Sequence, residues 1–478
     1  MDTTFDVVVA GAGPGGMAAA VGAADAGARV VVLEALDEIG GNAIWSTGYM
    51  AFTQFDMQTV SGIDDSAERF LADAHREVAL QRERYGIVWD EELTRQFIVR
   101  SGDTYRFLTH YGVEFRRFIQ RPLQHTADRM VDLVDTFALQ RAFGQAFAER
   151  NVTIALRTRA QRLRTDGGRV IGIEAEAPKG AVYYGAERGV ILTTGGYQAG
   201  VDMRRRYQPE HLATTPYLGL ATCRGDGHRM GQAVGADLLN MTMVQPLVIV
   251  ASALVEDSIA VNMDGRRFHD EAGPYDDRVA ALIQQRDRQA YYIFDDDTAC
   301  QKHHLFDQMP EPGTSAPTIE ALATTIGCPA PALQETVAAW NALLGTDVGR
   351  DPLFGRVVLP AERRAITTPP FHAVRMVLGV NFPAGGFRTT DRMAVVDVFG
   401  QPIDGLWAAG DTVGGVNPCL GLGGIHISSA MTLGFVAGRA AANGEVGRVT
   451  PLSPVAEPSP PRATMRMAIV DDAANAGA

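Results

Sequence analysis

The sequence predicts an α/β fold in which segments from both ends of the chain build one parallel-sheet domain, interrupted by an α+β insertion. Three stretches carry that expectation. Residues 5–34 run strand, glycine turn, small-residue helix, strand and acid. RGVILTTGGYQ, from Arg188, is another apolar strand ending in glycines. Residues 400–441 run turn, strand, acid, glycines and a second small-residue helix.

Bulk properties allow such a protein. The 478 residues are 46% hydrophobic and 21% charged, which suits a soluble chain with large cores and excludes fibrous, collagenous and mainly disordered classes. A net charge of −13 gives no general attraction to phosphate backbones or anionic lipid. No nucleic-acid partner is expected. Cys223, Cys300, Cys328 and Cys419 are far apart and form no CxxC pair, so no metal site is expected either. MDTTFDVVVAG enters a strand directly, and no run of about 18 apolar residues follows, so the expectation is a cytoplasmic protein without stable membrane insertion.

In FDVVVAGAGPGGMAAAVGAADAGARVVVLE, Gly11, Gly13 and Gly16 supply GxGxxG around Pro14 and Gly15. The first glycine allows a tight turn, the second lets backbone approach a pyrophosphate, and the third lets helix and strand pack closely. The helix N-terminus then offers free N–H groups to phosphate. Glu34, followed by Ala35, closes the second strand where a carboxylate accepts from both ribose hydroxyls. This is a complete Rossmann-like βαβ unit for a dinucleotide with an unphosphorylated ribose.

Further along, residues 151–173 alternate as strands about Asp166-Gly167-Gly168, a hairpin signal. RGDGHRMGQAVGADL, from Arg224, opens a helix. GQPIDGLWAAGDTVGG gives the strand ending at Gly410 and Asp411, and GLGGIHISSAMTLGFVAGRAAA gives the last helix, starting near Gly424 to Ser428.

Taken in order over residues 5–441, these segments resemble the FAD-dependent fumarate reductase and succinate dehydrogenase flavoprotein superfamily, closest to its 3-ketosteroid 1-dehydrogenase-like branch. The resemblance implies FAD. It assigns Gly40, Gly41 and Asn42 to the phosphates, and Ser46, Thr47 and Gly48 to the approach to the isoalloxazine. It places the adenine against backbone near Ala160, brings the strand ending at Gly195 back to the cofactor, and gives Gly410 and Asp411 the ribityl chain or pyrophosphate. The last helix would approach the ring closely through its small residues, with its positive end and Ser428 by flavin N1. No histidine stands between Asn42 and Tyr49, where some members attach the flavin, so the FAD is expected to be non-covalent. Domains follow: FAD-binding segments at 1–239 and 376–450, a capping or catalytic domain at 240–375, and a flexible Pro-rich tail at 451–478.

RFHDEAGPY, from Arg267 to Tyr275, selects the branch. Fumarate reductases carry a proton-donating arginine four residues after the glutamate of RFxNE; here Tyr275 stands there. Their two substrate histidines are matched by Gln245 and Asn381, and their GANRLGG arginine is absent from NPCLGLGG. The ketosteroid dehydrogenases end RFxNExxPY in a tyrosine base, and Tyr275 matches it. Their ketone-binding glycine N–H is matched by Gly424, whereas Leu420 stands in place of the companion tyrosine.

The resemblance therefore implies a dehydrogenase that introduces a double bond α,β to a ketone in an apolar, cyclic or steroid-like substrate. Tyr275 would remove the α-proton, Gly424 N–H would hold the developing oxyanion, and hydride would pass to flavin N5. A tyrosine of ordinary pKa, ~10, needs nearby donors or cations for this role; Arg278 is close in sequence. An electron acceptor is required. The alternatives are an enone or enoate reductase, a tricarballylate-type acid dehydrogenase and, from another class, a flavin-carrying electron-transfer subunit. Trp45, Tyr49 and Tyr197 are candidates for the ring face, and His426 for flavin or substrate contact. His269 and His372 are expected to be structural.

Overall fold

Uninterrupted valine runs such as VVVA and VVVL suit strands buried on both faces, and they form the centre of a parallel sheet. The computed structural model describes residues 3–121, 124–208, 215–248, 256–302, 312–383, 385–416 and 421–453. Strand Thr4–Ala10 pairs in parallel with Val30–Leu33 on one side and Gly180–Leu192 on the other. Thr153–Ala155 extends the sheet beyond Val30–Leu33, and Pro402–Ala408 extends it beyond Gly180–Leu192. Val9 thus stands opposite both Val32 and Ile191, and Ile191 opposite Trp407. Both ends of the chain contribute strands to one α/β sheet.

The helices after these strands explain the small residues. Pro14–Asp25 packs along Ile425–Asn443. A Cβ on Gly22 would press on the Phe435 backbone, one on Gly434 on Gly15, and one on Gly438 on Ala19. The C-terminal helix was expected to use its small residues to approach a planar ring. Gly434 and Gly438 serve contact between helices, and the residues that reach the cavity described below lie within its start, Gly424 to Ala430.

Strands Arg159–Asp166 and Arg169–Ala177 form the expected hairpin, which joins the sheet through Gly180–Leu192. Gly167 and Gly168 both take positive φ, 54° and 87°, as a type I′ turn requires.

A separate antiparallel sheet, in the order Ile259–Asn262, Ala290–Phe294, Phe371–Arg375, Thr314–Ala316, lies within the predicted insertion. Helices Ile319–Ile326 and Ala330–Leu344 pack on it around Leu322, Leu333 and Trp340. The connections before and after it pair with each other, Val244–Val248 against Leu378–Pro383. Near the C-terminus, Ser453 N–H donates to Trp89 O at 2.9 Å, so the first residues assigned to a flexible tail are attached to the body. Residues 454–478 lie outside the described residues. No described helix is long and apolar enough to cross a membrane.

The helix contact predicts that Gly438→Leu lowers unfolding free energy by about 3 kcal/mol or more, because backbone cannot yield as a side chain does. Urea denaturation of the variant against the parent checks this.

Candidate functional site

The carboxyl ends of parallel strands are where α/β sheets bind ligands, and here they open on one cavity of about 580 Å³. Gly11 follows the first strand, Glu34 the second, Thr193 and Gly195 the third, and Gly410 and Asp411 the last; all line it. Gly11 needs its φ of 102° and its bare Cα, since a Cβ would meet the Thr193 carbonyl. Gly13 has open space in front of it, the room that a pyrophosphate requires. Gly16 faces the Gly11 carbonyl rather than the cavity, as close packing of helix on strand demands.

The Glu34 carboxylate is held by the amides of Ala12, at 2.7 Å, and Leu36, at 2.9 Å. Burial raises its pKa, and it lines the cavity beside Ala35 and Ala160. Burial also raises the carboxyl of Asp411, to about 6. Of the segment after the second strand, Gly41, Asn42, Ser46 and Thr47 line the cavity. Gly40 and Gly48 shape that segment through φ of 122° and 72° without lining it, and Gly48 N–H donates to Ser46 Oγ at 3.0 Å. The open phosphate cradle at Gly13 and the held carboxylate at Glu34 fit an FAD, with Pro14 and Gly15 at the helix start beside them.

Tyr275 lines the same cavity and is the first residue of helix Tyr275–Ile283. The residues before it hold the segment rather than the cavity. Glu271 is fully buried and receives two bonds from Arg267, each 2.8 Å, one from Arg356 at 3.0 Å and one from the Ala260 amide at 3.0 Å. Burial alone would raise its pKa, but Arg356 and Arg267 pull it down to about 2. Both guanidinium groups stack on Trp340, at 4.6 and 4.9 Å from its ring centroid. The RFxxE part of the motif is therefore a buried clamp, and only the tyrosine reaches the cavity. Arg278 places its guanidinium carbon 4.4 Å from the Tyr275 ring centroid, over the ring face.

Gly424 opens helix Ile425–Asn443 with φ of 80° and lines the cavity. A Cβ there would lie 2.9 Å from Ala51 N, so glycine is required. The turn before it is held from behind. His125 Nε2 donates to Gly423 O at 3.0 Å, while its Nδ1 accepts from Arg129 at 3.2 Å. Arg129 is buried between Asp65, at 2.7 Å, and Asp73. Burial first, then the Arg129 charge, drives the His125 pKa to about 4 and keeps the ring neutral.

Several candidates lie elsewhere. Ser428 is buried with its hydroxyl donating back to Gly424 O at 2.9 Å, so it satisfies its own helix instead of facing the cofactor space. Tyr197 is also buried in the core, donating to Met241 O at 2.5 Å. Trp45, Tyr49, Asn381 and His426 do line the cavity, and burial lowers the His426 pKa to about 4. His269 bonds its neighbour's backbone and His372 bonds Asp296, at 2.8 and 3.0 Å. Leu420 and Cys419 lie outside the described residues, as does the side chain of Gln245. Sequence reasoning missed Arg121, which lines the cavity, and Glu256, its partner at 2.6 Å. Neither sits in a recognisable spacing, and 135 residues separate them.

Comparison with known proteins gives the family and the fold. The family profile described as "FAD binding domain" matches residues 6–427. A fumarate reductase (cytochrome) of Shewanella frigidimarina is 30% identical over 92% of this chain and 77% of its own. A 4-oxocyclohexanecarboxylate 2-dehydrogenase of Sinomonas cyclohexanicum is 26% identical over 93% of this chain and 94% of its own. Among solved structures, the open conformation of a flavocytochrome c3 fumarate reductase aligns with a TM-score of 0.73 at 27% identity, covering 93% of this chain and 79% of the other. The 3-ketosteroid-Δ4-(5α)-dehydrogenase of Rhodococcus jostii RHA1 aligns with a TM-score of 0.66 at 27% identity, over 92% and 97%.

The clamp predicts a pH dependence. Glu271 falls from an ordinary value of 4.5 to about 2 on folding, so its contribution is complete above pH 4.5 and is lost as pH drops towards 2. That contribution is on the order of 3 kcal/mol. Glu271→Gln should therefore show a flatter stability curve between those pH values, read by denaturant titration at each pH.

Proposed function

The chain belongs to the FAD-binding flavoproteins of the fumarate reductase and succinate dehydrogenase superfamily, oxidoreductases acting on CH–CH groups, and on that premise we propose that it desaturates an apolar ketone α,β to its carbonyl. The observation that carries the reading is the placement of Tyr275 and Gly424 on one cavity with the dinucleotide-site residues Gly13 and Glu34.

The chemistry follows from the groups. A C–H beside a ketone becomes acidic when the carbonyl oxygen meets a donor that strengthens as negative charge develops. Gly424 N–H, at the positive end of a 19-residue helix, is that donor. Tyr275, as phenolate, takes the α-proton. FAD, held non-covalently by the residues around Gly13 and Glu34, supplies the acceptor for the hydride from the β-carbon. The insertion that presents Tyr275 covers the reacting atoms from water.

Charge in the cavity argues for a ketone over a dicarboxylate. A desolvated dicarboxylate requires paired cations. The cationic side chains among the described lining residues are Arg121, paired with Glu256 at 2.6 Å, and Arg159, paired with Asp226 at 2.6 Å. His426 is neutral at pH 7, and Asn381 contributes no charge. The named relatives support both directions on such a bond: the Sinomonas enzyme is a dehydrogenase of an oxo compound, and the Shewanella enzyme is a reductase. The same residues serve enone reduction with the proton flow reversed.

Anaerobic mixing of the oxidised, FAD-loaded protein with saturated cyclic ketones should bleach the flavin, whereas succinate should leave it oxidised. Bleaching by succinate at a rate equal to or above that of every ketone tried would overturn the ketone assignment.

A further inference from the structure

The N–H of Gly424 is one half of a peptide group whose other half is held from outside the cavity. The carbonyl of Gly423 and the N–H of Gly424 share one plane and point in opposite directions, because the peptide is trans. His125 is buried and does not line the cavity, and its Nε2 lies 3.0 Å from that carbonyl oxygen. A carbonyl only accepts and a guanidinium only donates, so the tautomer is fixed. Nε2 carries the proton, and Nδ1 accepts from Arg129 at 3.2 Å. Arg129 is in turn held by Asp65, at 2.7 and 3.0 Å, and by Asp73. The rest of the turn is fixed as firmly. Gly423 N–H donates to Gln124 Oε1 at 3.1 Å, and Gly424 O accepts from the Ala51 amide at 2.9 Å.

This arrangement sets the direction of the Gly424 N–H, since a carbonyl held by His125 leaves the N–H of the same peptide facing away from the imidazole. It also sets its strength. Hydrogen bonds in a chain polarise one another, and a donor on the carbonyl oxygen draws electron density from the amide nitrogen, which makes the N–H a better donor. Burial and the Arg129 charge keep the imidazole neutral, which preserves its Nδ1 as the acceptor for Arg129. Among the described residues the Gly424 N–H meets no acceptor, so it is open to a ligand oxygen.

We propose that His125 is a positioning residue for the oxyanion: through the Gly423 carbonyl it aims and strengthens the Gly424 N–H at the other end of the same peptide. The assignment rests on Gly424 as the donor to the substrate oxygen. Its benefit grows as charge develops on that oxygen, so it acts on enolate formation more than on ketone binding. None of His125, Arg129, Asp65 and Asp73 lines the cavity, so the effect is transmitted through the backbone.

The test uses the oxidised, FAD-loaded full chain and two probes of similar shape, 4-nitrophenolate, which presents an oxyanion, and nitrobenzene, which does not. Dissociation constants are read by calorimetric titration. The parent should bind 4-nitrophenolate the more tightly. His125→Phe, which keeps a ring without the donor, should weaken 4-nitrophenolate about tenfold and leave nitrobenzene within about twofold. His125→Gln, whose amide can donate to Gly423 O, should restore most of the loss. A merely structural role would weaken both probes together. Equal binding of 4-nitrophenolate by parent and His125→Phe, or equal losses for the two probes, overturns the proposal. If His125→Phe does not retain FAD, His125→Leu takes its place. A parent that binds nitrobenzene at least as tightly as 4-nitrophenolate removes the oxyanion reading of Gly424, and the proposal with it. A parent preference that survives the substitution removes the proposal alone.

Discussion

Backbone-to-backbone contact between helix Pro14–Asp25 and helix Ile425–Asn443 is the constraint on which the rest depends. Gly22, Gly434 and Gly438 leave no room for a Cβ between them. The close approach fixes the first helix, whose start carries Gly13, against the last, whose start carries Gly424. Two ends of the chain more than 400 residues apart in sequence thereby line one cavity. The parallel pairing of Pro402–Ala408 with Gly180–Leu192 sets the same relation in the sheet, where Trp407 meets Ile191.

A different device fixes Tyr275, which lines the same cavity. The buried Glu271 is compensated by Arg267 and Arg356, with Trp340 beneath both guanidinium planes. A buried carboxylate with one partner removed is strongly destabilising, so such a clamp holds only when complete. Its position four residues before Tyr275 gives the tyrosine a rigid origin at a helix start. His125 and Arg129 do the corresponding work behind Gly423, in the turn that leads to Gly424. Tyr275 and Gly424 are thus both supported by ion networks that never touch the cavity interior.

What was legible in the sequence was local. Gly11, Gly13, Gly16 and Glu34 fall within one βαβ unit, where spacing fixes geometry, and the Gly167-Gly168 turn is equally local. The fold class followed from repeating such units. What was not legible depends on long-range contact. Arg356 meets Glu271 across 85 residues, and Arg121 meets Glu256 across 135, with no periodicity to announce either pairing. Ser428 was expected near the flavin because the resemblance puts the start of the last helix there, and Tyr197 was a candidate either for the ring face or for the core. Their hydroxyls instead satisfy Gly424 O and Met241 O, because a buried hydroxyl takes the nearest acceptor its backbone allows. The small residues of the last helix were read as making room for a ring; Gly434 and Gly438 make room for another helix, while Ala430 lines the cavity.

The central claim is that Tyr275 removes a proton from the substrate. It is tested most directly by the rate of flavin bleaching under anaerobic mixing with a saturated ketone, comparing the parent protein with Tyr275→Phe at equal FAD content. The account predicts that the variant keeps its FAD and bleaches slower by about 100-fold or more, as loss of a general base requires. Equal bleaching rates would contradict it.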